Sequence, residues 1–413
     1  MRKGVKQMKV TRTEQHTIKN SNPLWKLVDE MCFKSKNIYN YGNYIIRQEF
    51  INNGKWIKYN ELFKLVKDSD PYKDLGSNVG QATLRLLDKN WKSFFVAIKD
   101  WKQNPSKYLG RPKLPKYKQK AGRFILGIDN NKVMIKDGYV YFAWKPLKVL
   151  NNHFISKIPN DCKVFQCRFI PTGSNYTMEI VYEIEVAEQP ETSERIISID
   201  LGVDNFVTIT NNVGLKPFVI KGGVIKSVNQ YYNKEKARIQ SQLKTVNKKD
   251  WSNKLQKLTD KRNNKIKYLM HTYSKRIVDY CLENGIDTIV CGYNKEWKQE
   301  SAMTKKTNQK FLTIPYETFI SMLDYKSIDS GKKFILNEEG YTSGTSFLDG
   351  EEPVKSNYNK SRRVYRGLFV SNNGIKINAD VNGSYQIMKK VFPNVFADGI
   401  EGVGLHPLIL KIA

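Results

Sequence analysis

Arg195–Asp204 reads RIISIDLGVD, an apolar run that alternates like a strand, ends in Asp200 and passes at once into Leu-Gly-Val. That pattern puts a carboxylate at the carboxyl edge of a central strand, with small residues leaving room beside it, as a metal ligand requires; such an acid can also do no more than cap a turn. Far downstream, Ile377–Gly383 (INADVNG) opens a helical run over Ser384–Val391, so Asp380 projects from the start of a helix. Two carboxylates gathered from distant segments suit a divalent cation, whose hard charge prefers oxygen donors.

Outward from this pair, Phe206–Thr210 and Pro217–Lys221 read as the second and third strands. Lys226–Asn284 is a long, basic, helical stretch with apolar marks at Tyr231, Ile239, Leu243, Leu255, Leu258, Ile266, Leu269, Tyr273 and Ile277. The polar break at Val246–Asp250 predicts a hairpin of two helices. A strand at Thr288–Cys291, a helix near Tyr316–Tyr325 and a strand at Lys333–Asn337 follow. The order βββαβαβ and then a helix is the RNase H-like pattern, although actin-like ATPase folds open in the same way.

The N-terminal half reads differently. Met8–Ile18 alternates like a strand, and from Pro23 the period becomes helical. In Gln81–Trp101, Leu84, Leu87, Trp91, Phe94, Ile98 and Trp101 recur at steps of three and four and predict a buried stripe, with Arg85, Lys89, Lys92 and Lys99 on the other face, there to be solvated or, alternatively, to meet phosphate. Gly110–Lys120 (GRPKLPKYKQK) cannot be a regular helix because of its prolines, and its Lys113, Lys116, Lys118 and Lys120, with the stacking face of Tyr117, predict an extended clamp on nucleic acid, the alternative being a solvated linker. From Lys132 the period becomes two. KVMI and YVYFAW around Asp137-Gly138, then VFQCRFI and YTMEIVYEIEV around Pro-Thr-Gly-Ser-Asn, predict two hairpins and a small β-barrel.

Of 413 residues, 69 are Lys or Arg and 40 are Asp or Glu, a formal charge of +29. A polyanion explains that excess, and nucleic acid fits better than a membrane surface because the aromatics are spread through periodic segments. No apolar run reaches the ~18 residues of a spanning helix, and a cytoplasmic, non-membrane protein is expected. The five cysteines and four histidines are scattered, which predicts neither a disulfide framework nor a zinc site.

Several ordered motifs also resemble the transposon-encoded TnpB family of RNA-guided DNA endonucleases, ancestors of type V CRISPR effectors. They are ISIDLGVDNFVTIT, CGYNKEWKQ, NQKFLTIPYETFISMLDYK, EEGYTSGTSFLDGEE, RRVYRGLF, INADVNGSYQIMKK and GLHPLIL, with GRPKLPKYK and the preceding helix upstream. The resemblance covers nearly the whole chain. It implies a RuvC-type nuclease using Mg²⁺, with two ions, and as partners a guide RNA and a double-stranded DNA target bearing an adjacent motif, with the protein a monomer or a dimer on its RNA. It implies residues 1–20 as the first strand of a wedge β-barrel, 21–110 as a helical recognition domain, 111–192 as the rest of the wedge, and 193–413 as the nuclease domain. Within the last, 226–284 is the helical hairpin insertion and about 340–376 a reduced nucleic-acid-binding insertion.

Two departures from the family pattern bear on chemistry. The commonest pattern has Glu after the fourth strand, where this chain has Gly292, and the usual four-cysteine zinc ribbon has no counterpart, since no cysteine follows Cys291. The string EE-x-YTS resembles a branch with a relocated glutamate. Glu339, in preference to Glu338, then joins Asp200 and Asp380 as catalytic and metal-binding acid; otherwise both glutamates are solvated strand-end charges. Arg362, Arg363 and Arg366, with Tyr365, are expected to contact phosphate or bases, or to form a surface loop. A nuclease-dead, RNA-guided DNA-binding repressor of the same ancestry is the competing expectation.

Overall fold

The computed structural model describes residues 7–294, 313–397, 399 and 403–411; segments 295–299 and 308–312, parts of two of the motifs above, lie outside the described residues. The chain forms two compact units, one over Lys9–Glu185 and the other chiefly over Val186–Ala413.

The first unit opens with β1 (Gln7–Ile18), followed by α1 (Trp25–Asn53), α2 (Tyr59–Val66), α3 (Asp70–Leu75) and α4 (Ser77–Gln103). Leu84, Leu87 and Trp91 are fully buried as the period-3.6 stripe requires, whereas Phe94, Ile98 and Trp101 near the end of α4 are only partly covered. Helices α1 and α4 meet at Gly42, where a Cβ would lie 3.0 Å from Leu87 Cδ2. Beside that contact the buried Trp91 Nε1 donates to Asn43 Oδ1 at 3.0 Å, which satisfies a donor that packing would otherwise strand. On the other face of α4, Arg85 donates to both oxygens of Asp129 (2.9 and 2.7 Å) and Lys92 pairs with Asp88 (2.8 Å), so two of its basic residues have acid partners within the fold.

The strands of this unit are β2 (Leu126–Asp129), β3 (Val133–Lys136), β4 (Tyr139–Phe142), β5 (Lys163–Thr172) and β6 (Asn175–Ala187). Asp137 and Gly138 both have positive φ (50° and 73°), the two-residue turn whose twist matches a hairpin, and β3 pairs with β4 as read. One sheet has the order β1-β6-β5-β2, and β3-β4 is a separate two-stranded sheet. Among the described residues the expected barrel is therefore not closed by strand pairing: the larger sheet ends at β1 on one side and at the four-residue β2 on the other.

The second unit is mixed α/β, consistent with the RuvC-like expectation. Its strands are β7 (Ile196–Leu201), β8 (Asn205–Asn211), β9 (Phe218–Lys221), β10 (Thr288–Gly292) and β11 (Lys333–Asn337), with a short hairpin β12 (Leu368–Val370) and β13 (Lys376–Asn378), and β14 (Leu408–Ile409). Its helices are α5 (Gly223–Asn247), α6 (Asn253–Glu283), α7 (Tyr316–Asp329) and α8 (Ala379–Val391). The main sheet runs β11-β10-β7-β8-β9-β14. Strands β10 and β11 lie parallel beside β7, while β8 and β9 are antiparallel.

Period-2 alternation along β7 sorts its side chains between two layers. Ile197, Ile199 and Leu201 join the cluster formed with α6 and α7, whereas Ile196 packs with Val290 against Ile387 and Met388 of α8. Ser198 and Asp200 share the α8 face. There Ser198 Oγ donates to the Ser384 carbonyl (2.6 Å), and Ser384 Oγ donates back to the Ser198 carbonyl (3.0 Å), which pins α8 across β7. Tyr231, read from the sequence as an apolar mark of the helical hairpin, is instead 61% exposed, because α5 packs on α6 and buries other residues such as Ile225 and Ile239.

Candidate functional site

At the carboxyl end of β7, the sequence Asp-Leu-Gly makes a tight exit: a Cβ on Gly202 would lie 2.5 Å from the Asn205 carbonyl oxygen. Asp200 stands against α8, its Oδ2 only 3.2 Å from where a Cβ on Gly383 would be. The start of α8 is set by Asn378, whose Oδ1 accepts from the backbone N–H groups of Asp380 (3.0 Å) and Val381 (3.1 Å). This cap holds Asp380 in the first helical turn, where the helix dipole favours a negative charge.

The third acid arrives from β11. The parallel register pairs Val290 with Ser198 and Cys291 with Ile199, so the next residue, Gly292, comes alongside Asp200. A Cβ on Gly292 would lie 3.0 Å from Glu339 Oε2 and 2.4 Å from Ile387 Cδ1. The Glu339 carboxylate thus lies over the glycine, and its Oε2 is shut off from solvent. Glu338 goes elsewhere: it accepts from Gly340 N–H and pairs with Lys390 at 2.8 Å, with its side chain 61% exposed. Asp200, Glu339 and Asp380 line one pocket of about 500 Å³, together with Asn205, Lys221 and Arg363.

Burial, and after it the charges of Glu339 and Asp380, push the Asp200 carboxyl well above the ordinary carboxylate range, with Arg363 opposing. Cys291 beneath is raised by burial first and then by the charges of Glu339 and Asp200. Among the described residues, no three His, Cys, Asp or Glu side chains stand close enough to grip an ion as they are. Asp380 accepts from Arg363 Nη2 (3.1 Å) at Oδ1 and from Asn205 Nδ2 (2.7 Å) at Oδ2. The donor set nevertheless fits a hard divalent cation: three carboxylates from separate elements face one pocket, and their mutual repulsion is what a bound cation relieves.

Of the other residues singled out in the sequence, Lys113, Lys116, Tyr117 and Lys120 are exposed along an extended segment, as a clamp requires. Its backbone is held to α1 by side chains: Asn43 Nδ2 and Arg47 donate to the Pro115 carbonyl (3.0 Å each), and Asn40 Nδ2 donates to that of Lys118 (2.9 Å). Lys118 turns inward, its ammonium 4.9 Å and 5.0 Å from the ring centroids of Tyr39 and Phe124. Arg362 also departs from expectation. Its side chain is 12% exposed and its guanidinium donates to both oxygens of Glu351 (2.7 and 2.8 Å) and to the Asn357 carbonyl (3.0 Å), so it staples its own segment instead of facing out. Arg363 and Arg366 turn to acids, Asp380 and Asp204 respectively. Asn205, which orients Asp380, escaped the reading; its only sequence signal was its place directly after LGVD.

Two family models match parts of the chain: OrfB_IS605, described as a probable transposase, over residues 179–298, and the Cas12f1-like TNB domain over 316–387. TnpB-like protein ORF457 of Acidianus two-tailed virus is 24% identical over 396 residues, spanning 86% of this chain and 81% of that protein. Together these matches support a TnpB-family protein. CRISPR-associated endodeoxyribonuclease Cas12f2 of a Micrarchaeota archaeon is 27% identical to this chain over 327 residues, covering 75% of it and 54%, or about half, of the relative. Among solved structures, a Cas12f1–sgRNA–target DNA complex aligns with 91% of this chain and 98% of that one (16% identity, TM-score 0.36). CasPhi-2 (Cas12j) bound to crRNA and phosphorothioate-DNA aligns with 92% and 91% (9% identity, TM-score 0.43). No helix among the described residues is long and apolar enough to cross a membrane.

Proposed function

We propose that this chain is an RNA-guided DNA endonuclease that binds a guide RNA from the element's end, recognises a short target-adjacent motif and cuts DNA by Mg²⁺-dependent phosphodiester hydrolysis. The observation that carries the reading is the convergence of Asp200, Glu339 and Asp380 on one pocket, with Glu339 lying over the glycine that replaces the family's commoner glutamate. These three acids would hold two Mg²⁺ ions, which when bound supply a more acidic attacking water and charge stabilisation of the leaving 3′-oxygen.

The residues of the chain itself then have separable tasks. Ser198 and Ser384 set the spacing of β7 and α8, and with it that of Asp200 and Asp380. Asn205 fixes the orientation of the Asp380 carboxylate. Arg363, Arg366 and Lys221 line the same pocket and offer cationic donors to the phosphates of an entering strand. Lys113, Lys116, Tyr117 and Lys120 grip the guided heteroduplex through its backbone and shape, because base pairing with the guide does the sequence reading. The domain assignment follows the same reading: a wedge from 1–20 and 111–192, a recognition domain over 21–110, and a RuvC nuclease over 193–413.

The nuclease-dead reading has one observation in its favour, the engagement of both Asp380 oxygens by Arg363 and Asn205. One experiment separates the two. The purified protein is expected to carry a structured RNA whose binding weakens steeply with salt as phosphate counterions are released, and Asp200→Ala and Asp380→Ala are each expected to abolish guided cleavage while leaving target binding nearly intact. Wild-type protein that binds its target yet never cuts under any divalent metal establishes the repressor; protein free of RNA, with no salt-dependent RNA binding, removes both readings.

A further inference from the structure

A second groove of this unit lies apart from the acids. It opens between α5 and α6, has a volume of about 840 Å³, and is lined by Tyr231, Tyr232 and Tyr268 together with Lys261, Arg262 and Lys265. Tyr231 and Tyr268 are 61% and 57% exposed, unusual for rings this large on the faces of two packed helices. No acid is among the described residues that line it.

The cations and rings are interleaved. Lys265 Nζ lies 5.6 Å from the Tyr268 ring centroid, and Tyr232 has Lys236 Nζ at 5.9 Å and the Arg262 guanidinium at 5.7 Å. Arg262 is half-buried, and among the described residues its hydrogen-bond partners are all neutral: Asn229 Oδ1 (2.8 Å), Asn263 Oδ1 (3.0 Å) and the Thr313 carbonyl (2.8 Å). Burial pulls its pKa below the usual guanidinium value. A guanidinium held in such a place without a carboxylate partner is offered to an anion from outside.

We propose that this groove binds a single DNA strand, with unpaired bases stacking on Tyr231 and Tyr268 and phosphates meeting Lys261, Arg262 and Lys265. The chemistry selects among occupants. Exposed aromatic faces stack only on bases that are not already stacked in a duplex, and an all-cationic rim repels a basic peptide while attracting phosphate. The choice of DNA rests on the endonuclease reading above and on continuity. Lys226, whose Nζ pairs with Asp204 at the rim of the acid-lined pocket, immediately precedes Ser227 of this groove, so one turn of α5 carries residues of both.

The test is made on the full-length protein with its copurifying RNA, in EDTA so that nothing is cut, and therefore does not depend on nuclease activity. The probe is a fluorescein-labelled 15-nucleotide oligothymidylate, with oligouridylate of the same length in parallel. Tyr231→Ala and Tyr268→Ala are each expected to weaken oligothymidylate binding about five- to a hundredfold, the range for loss of one base–aromatic stack. Tyr231→Phe and Tyr268→Phe, which keep the ring, should stay within about twofold of wild type, and Lys265→Ala should lower the salt slope by about 0.7, the share of one single-strand phosphate contact. A 5-iododeoxyuridine version of the oligonucleotide should photocrosslink to Tyr231 or Tyr268 in the unmutated protein, which decides the matter even if an alanine variant misfolds. Alanine variants that bind like wild type, crosslinks only outside the groove, or a loss confined to oligouridylate would each overturn the proposal; failure of the endonuclease reading shows separately, as absent cleavage in Mg²⁺ with these binding results unchanged.

Discussion

Replacing Gly292 with alanine tests the position of the third acid without altering any acid. The added Cβ would lie 2.4 Å from Ile387 Cδ1, 3.1 Å from its Cγ1 and 3.0 Å from Glu339 Oε2. Ordinary non-bonded carbon contacts lie at about 3.5–4.0 Å, so the shortfall against Ile387 is about 1 Å. Ile387 is fully buried among Ile196, Val290 and Met388 and cannot swing clear, so overpacking costs about 1–3 kcal/mol. Glu339 lies at the end of a strand and yields more easily, and displacing a reacting group by about 1 Å costs roughly a hundredfold in rate. Single-turnover cleavage of a guided duplex in Mg²⁺ should therefore slow about a hundredfold, with target binding retained. Adding Ile387→Val removes Cδ1, the nearest atom, and should recover much of the stability and part of the rate. The reasoning is refuted if Gly292→Ala cuts and melts like wild type while Glu339→Gln is inactive, because the carboxylate could then not occupy the space over Gly292.

Glu339→Gln keeps size and hydrogen bonding but removes the charge, and should suppress cleavage by at least roughly a hundredfold, whereas Glu338→Gln, which loses only its link to Lys390, should stay within a few-fold; rates in the reverse order would exchange their roles. Arg362→Ala leaves Glu351 and Asp349 without their shared cation and should destabilise the second unit by about 3–5 kcal/mol, read by chemical denaturation; a change under about 1 kcal/mol would show that the staple is dispensable. The hydrogen bond from Arg362 holds the Glu351 carboxyl below the ordinary glutamate range. Because the folded value is the lower one, its contribution to stability is present above the unfolded value and lost as pH falls through the folded value. The wild-type melting temperature should accordingly drop more steeply in acid than that of Glu351→Gln, and parallel curves would count against the linkage.

Local chemistry already written in the chain was enough to place most elements. The alternation in Arg195–Leu201, the Asp137-Gly138 turn and the polar break before α6 each depend on neighbours within a few residues, and all three appear where the pattern put them. The pairing of Asp200 with Asp380 was legible for a related reason: one acid ends an apolar strand and the other starts an apolar helix, and both apolar faces must be buried together. Strand β14 was not legible, since Leu408–Ile409 is too short for a period and joins the sheet only through its partner β9.

What the sequence by itself determined is the element order, the mixed α/β class of the second unit and the residue types available to its site, because periodicity and turn chemistry act over short distances. The direction in which each long polar side chain points was decided only by tertiary structure. Lys118 reaches in over Tyr39 and Phe124, Arg362 closes on Glu351, and Tyr231 faces outward, although each is ordinary for its type in the string. The same holds for Glu339 against Glu338. Two adjacent glutamates are equivalent in sequence, but one finds the space over Gly292 and the other finds Lys390, because charge and packing select between them only after β10, β11 and α8 have come together.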